Sequence, residues 1–195
     1  MAFSGKNQLN INAIRNMRRH LFRQRQRGLG LLDYFLVSIL LGLAATNVLS
    51  TYQNTNNTSR HAETIQLIGN ISAAVRSIYQ GAPNFNGLTT AQVFSSNQIS
   101  SKYRRGTSTL VHSFGGGITV TPTGTSGSEE RFSITLSALT RDICTRLATA
   151  DYGVGLYNMT IGSTLIGAAG SGTVATLNQA QTLCVTPATI IWEFY

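Results

Sequence analysis

From Leu29 to Leu49 the chain runs for 21 residues with one formal charge, Asp33. A helix of that length reaches ~30 Å, the thickness of the hydrocarbon layer of a bilayer. A carboxylate inside such a run costs at least ~2.5 kcal/mol on insertion scales, so an ordinary anchor would not keep it. The fold must accommodate a long apolar helix carrying one acid near its start.

The residues before this run explain the overall charge of +8. Residues 1–28 hold Lys6, Arg15, Arg18, Arg19, Arg23, Arg25 and Arg27 with no acid, hence +7, whereas 29–195 hold eight basic and seven acidic side chains. Nucleic-acid binding needs basic groups clustered on the folded domain, and this chain has them on a leader. Only Lys102-Tyr103-Arg104-Arg105 clusters elsewhere, and it reads as a solvated loop. Positive charge flanking a span stays on the cytoplasmic side, so the N-terminus is expected inside and the C-terminus outside.

A secretory signal peptide would have a shorter apolar core followed by a small-residue cleavage site, of which Ala44-Ala45 is a poor version. A plain single-span anchor fits the length and leaves Asp33 unexplained.

The junction Arg27-Gly28-Leu29, with Asp33 as the fifth residue after Gly28, resembles the type IV pilin precursors. In that family a basic leader ending in glycine is cut by a membrane-embedded prepilin peptidase, and an acid, usually glutamate, stands fifth after the cut. The 28-residue leader and Leu29 in place of phenylalanine are similar to the type IVb branch, which includes toxin-coregulated, bundle-forming and conjugative-plasmid pilins. The resemblance implies cleavage between Gly28 and Leu29, N-methylation of Leu29, and a fibre of identical subunits built by inner-membrane machinery. It implies residence in the bacterial inner membrane before assembly and on the cell surface afterwards.

Cleavage would release an α-amino group on Leu29, and burying that ammonium in an apolar fibre core is costly unless an anion meets it. Asp33 supplies one; in the family the amine belongs to a neighbouring subunit, which makes the pair a register device. Asp in place of Glu departs from the family pattern.

Beyond the apolar run, Ile65, Ile68, Ile71, Val75 and Ile78 recur at spacings of three and four, an apolar stripe with a helical period. One helix over 30–79 is expected, with fraying at Ser50–Asn57 and local unwinding between Gly42 and Ser50, as pilin helices melt in the fibre. The domain expectation is a removed leader at 1–28, the helix at 29–80 (apolar at 29–49, amphipathic at 50–80) and a head at 81–195. The fold class is α+β, the long helix packed on an antiparallel sheet with short helices.

Within the head, Thr89 or Thr90 caps a short helix running to Ser96. Leu110–Phe114 and Ile118–Thr121 flank Gly115-Gly116-Gly117 as a hairpin, and Arg131–Leu136 alternates as a strand. Ser137 or Thr140 begins a helix through Asp142 to Ala150, a strand follows over Asp151–Thr160, and Gly162–Gly172 reads as an exposed loop. A helix over Thr176–Leu183 precedes an interior strand, Ala188–Tyr195, that packs on the long helix through Ile190, Trp192 and Phe194.

If the head lies outside the inner membrane, Cys144 and Cys184 are expected to be oxidised to a disulfide, worth ~4 kcal/mol on the chain-entropy model. The resemblance implies the same, since type IVb pilins carry a carboxy-terminal disulfide around a surface region, here 144–184. His20, His61 and His112 have no metal-ligand spacing, and no acid pairs with a histidine or nucleophile, so neither cofactor nor enzymatic activity is expected. His61-Ala62-Glu63 reads as the exposed side of the helix. A minor pilin, a secretion pseudopilin and a non-polymerising membrane-anchored binding domain share much of this reading. No nucleic acid is expected on the isolated subunit.

Overall fold

The structure, a computed structural model, describes residues 30–125 and 127–195, with only the helical backbone given at 31–33 and 44–55. It divides into two compact units, Met1–Thr55 and Asn56–Tyr195. Helix α1, Gly30–Ile78, is unbroken. The expected fraying and unwinding are therefore absent from the single chain. One glycine costs a helix only ~1 kcal/mol, too little to open it without a competing partner for its backbone.

In the 56–195 unit, α1 buries Leu67, Ile68, Ile71, Ala74 and Val75. Ile78 is a correction to the expected stripe, being 42% exposed. Seven residues after Ile71, it still lies on the stripe's side of the helix; what differs is that it is the last residue of α1, beside the turn that follows. Tyr79, a full turn after Val75, packs against the core.

The sheet takes the order β1-β2-β3-β4-β7-β5-β6, with every pairing antiparallel. Its strands are β1 (Arg104–Arg105), β2 (Thr109–Val111), β3 (Gly117–Thr125), β4 (Ser128–Leu139), β5 (Leu156–Ile161), β6 (Thr164–Ile166) and β7 (Ala188–Phe194). The α+β class is as expected, and β7 sits between β4 and β5 as the interior strand the sequence asks for. Cross-strand partners Ile134 and Trp192, Leu136 and Ile190, and Phe132 and Phe194 place the large side chains of β4 and β7 in the same core as α1. Each fully buried side chain of this size contributes ~1.5–3 kcal/mol.

Short helices close the unit. Helix α2, Thr90–Ser95, has the capping box of Thr89 and Gln92. Helix α3, Arg141–Ala148, starts after Thr140, and α4, Leu177–Leu183, has the capping box of Thr176 and Gln179. Ser137 does not begin a helix: it stays in β4, which bulges at Ala138, a residue at φ 57°.

Three further expectations are corrected. Asp151–Gly155 is a loop and not part of a strand, because the Asp151 carboxylate accepts the Gly153 amide at 2.8 Å and Gly153 takes φ 76°. Part of Gly162–Gly172 is strand β6, since Gly162 at φ 61° turns the chain so that Ile161 pairs with Thr164. The Lys102–Arg105 cluster is a single 3-10 turn, Ser101–Tyr103, leading into β1, with Tyr103 buried.

Candidate assembly site

The residues singled out for assembly are described unevenly. Gly28, Leu29 and the leader lie outside the described residues, as does the side chain of Asp33, whose backbone belongs to α1. The expected apolar span at 29–49 falls in large part on the same positions. Among the described residues no helix is long and apolar enough to cross a membrane.

The described part of that run, Tyr34–Leu43, has its large side chains in the open. Tyr34, Phe35, Leu40 and Leu41 are exposed by 79, 61, 63 and 65%. Contiguous apolar surface on this scale marks a surface made for a lipid or protein partner. It makes the start of α1 a candidate assembly site.

The second candidate region is bounded by the Cys144–Cys184 disulfide, which the structure forms with a Cα–Cα distance of 5.7 Å. The bond ties α3 to the residue ending α4 and encloses the β5–β6 hairpin and the following loop. Both sulfurs are buried in the common core, so the bridge fixes the loop from beneath and leaves its outer residues available for contact. Val154 and Leu177 stand exposed on its surface.

A third feature was missed by sequence reasoning. A cavity of about 360 Å³ opens beside the turn joining β2 to β3, lined by Arg60, Glu63, Lys102, Arg105, His112 and Ser113 among others. Glu63 is half-exposed and engaged: Lys102 Nζ lies 3.1 Å from Oε2, and Ser113 Oγ donates to the same oxygen at 3.1 Å. These hydrogen bonds, Lys102 first, hold the Glu63 carboxyl below the ordinary range. The sequence gives no hint of this ion pair, because its members are 39 positions apart.

His112 forms the inner wall. Its Nε2–H donates to the Ser137 carbonyl at 3.0 Å while Nδ1 accepts the Phe114 amide at 3.3 Å, which fixes the neutral tautomer. Burial pushes its pKa below the ordinary value, opposed by the Ser137 hydrogen bond. A Cβ on Gly116 would run into the Ser137 carbonyl and the His112 ring, so this glycine of the triplet is required by close approach. Among the described residues no group of His, Cys, Asp and Glu is placed to hold a metal.

The family model described as "PilS N terminal" matches residues 55–194. The chain is 24% identical over 173 residues to the major structural subunit of bundle-forming pilus of Escherichia coli O127:H6, covering 83% of this chain and 89% of that protein. It is 23% identical over 132 residues to the corresponding subunit of Escherichia coli O111:H-, covering 67% and 68%. Among solved structures it is similar to a type IV b pilin from Salmonella typhi, with a TM-score of 0.49 at 16% identity over 66% of this chain and 95% of that one. It is also similar to TcpA, a type IV pilin from Vibrio cholerae El Tor biotype, with a TM-score of 0.46 at 17% identity over 70% and 99%.

Proposed function

Because the chain belongs to the PilS N-terminal family and is a type IVb pilin, we propose that it serves as the major structural subunit of a surface pilus. Prepilin peptidase cuts it after Gly28, Leu29 is N-methylated, and inner-membrane machinery draws the subunit from the bilayer into a fibre of identical copies. The fibre then works in adhesion, aggregation or conjugation. The role is structural and not catalytic.

The observation that carries this reading is the register of Gly28, the apolar run and Asp33, continued by the uncovered apolar side chains of Tyr34–Leu43. Such a helix is costly to expose to water, at ~25 cal/mol for each Å² left uncovered. Lipid covers it first and neighbouring helices later. The Leu29 amine, once released, pairs with Asp33 of an adjacent copy and penalises wrong docking depths, since an unpaired buried charge costs several kcal/mol. The head faces outward, with the 144–184 region on its surface.

Intact-mass measurement of the protein sheared from cells with an active prepilin peptidase tests the processing. The expected product lacks residues 1–28 and carries one added methyl group. A full-length product in those cells would overturn the proposal.

A further inference from the structure

Almost every charged side chain among the described residues is engaged within its own chain. Lys102 is taken up by Glu63, Arg146 by Asp142, and Arg76 by the Tyr195 carbonyl. The remaining arginines and carboxylates meet carbonyl oxygens, rings, amides or side-chain amides in the same way. Three side chains stand apart: Arg60, Arg105 and Glu130 are exposed and meet none of these partners among the described residues.

Their placement gives the exception meaning. Arg60 and Arg105 line one cavity, of about 360 Å³, beside the β2–β3 turn. The acid within that cavity, Glu63, is already held by Lys102 and Ser113, so neither guanidinium group has a carboxylate partner among the described residues. Gly115 in the same wall leaves open space where a side chain would otherwise stand. Glu130 lies at the other end of the unit, three residues after Gly127 in the β3–β4 turn. The nine residues of β3 separate the two ends by ~27 Å at the usual rise of a strand.

A two-guanidinium cavity and a carboxylate at opposite ends of one unit cannot meet within a copy, whereas stacking copies end to end would bring them together. Such a contact joins two different patches, and a heterologous contact that does not close generates an open helical filament. Arginine forks suit this task because they bind carboxylates through paired, charge-assisted hydrogen bonds.

We propose that the cavity lined by Arg60 and Arg105 receives the Glu130 carboxylate of a second copy, as a head-to-tail contact between successive heads in the fibre. This rests on the pilin reading and adds to it a contact separate from the Asp33 pairing. The contact selects the axial register of the heads, and the helix-borne pair selects that of the core.

Charge reversal in the full-length chain, expressed with its own assembly system, provides the test. Glu130→Arg, and Arg60→Glu with Arg105→Glu, are each expected to lower the yield of sheared fibre by tenfold or more, on the order of a like-charge juxtaposition. All three changes together are expected to restore assembly. Formation of the Cys144–Cys184 bond and protease resistance of the membrane-held subunit show that each variant is folded. Wild-type yields from the reversed variants, or no recovery on combination, would overturn the contact.

If a reversal does not fold, Glu130→Gln and Arg105→Gln replace it. Losses that do not add when the two are combined support the contact, and additive losses refute it. Absence of fibres from the unaltered chain in the same cells would instead count against the pilin reading itself.

Discussion

Two stretches of the same helix, 34–43 and 64–75, are both rich in apolar residues and have opposite fates. In the second, Leu67, Ile68 and Ile71 are at most 1% exposed, while Gln66, Gly69 and Ala73 on the other side of the helix are turned to solvent. In the first, large side chains all round the helix are more than half exposed. The difference lies in the period: a stripe on one face is made for one sheet, whereas an apolar cylinder has no dry side within a small domain. Stability of the head is therefore set by its own packing, whereas the described side chains of the leading stretch stand exposed.

The sharpest way to break that comparison is Asp33→Ala. If the leading stretch works only between copies, this variant is expected to be cut normally and to leave the melting temperature of the head unchanged, while fibre yield falls to background. Electron microscopy of sheared material together with the melting curve reads both halves. Normal fibres would remove the pairing role, and a shifted melting curve would show that the stretch also serves its own chain.

A matched pair of truncations is expected to act next most strongly. Ile71→Ala removes a fully buried side chain and is expected to destabilise the head by ~2–5 kcal/mol, lowering its melting temperature by on the order of 10 °C. Leu40→Ala removes a side chain of similar size that is 63% exposed, with an expected change within ~0.5 kcal/mol. Equal losses measured in the detergent-solubilised full chain would erase the distinction between the stretches.

The sequence made this division readable where the physics is local. Helical period gave α1, alternation gave β4 and β7, and of the two candidate caps, Thr89 and Thr90, it is Thr89 that starts the short helix. Ile78 and the β6 hairpin were lost because local patterns mislead near ends: Ile78 is the last residue of its helix, and Thr164–Ile166 is a three-residue strand set between Gly162-Ser163 and a glycine-rich loop. The cavity was illegible for a different reason. Glu63, Lys102 and His112 come from a helix, a 3-10 turn and the end of a strand, and only the sheet order brings them together.

The smallest expected effect probes how far the head's stability is its own. In the folded state the His112 ring donates to Ser137 and accepts from Phe114, and burial keeps it neutral. Its folded pKa lies below the ordinary 6.5, so the unfolded chain binds the proton first as pH falls. Stability is then complete above pH ~6.5 and declines from there down through the lower, folded pKa. Glu63 also costs stability on protonation, but only around and below its ordinary value of 4.5, which separates the two windows. Melting curves between pH 7.5 and 5 are expected to show a falling temperature in the unaltered chain and a flatter profile in His112→Gln. A slope that survives the substitution would assign the pH response to another group.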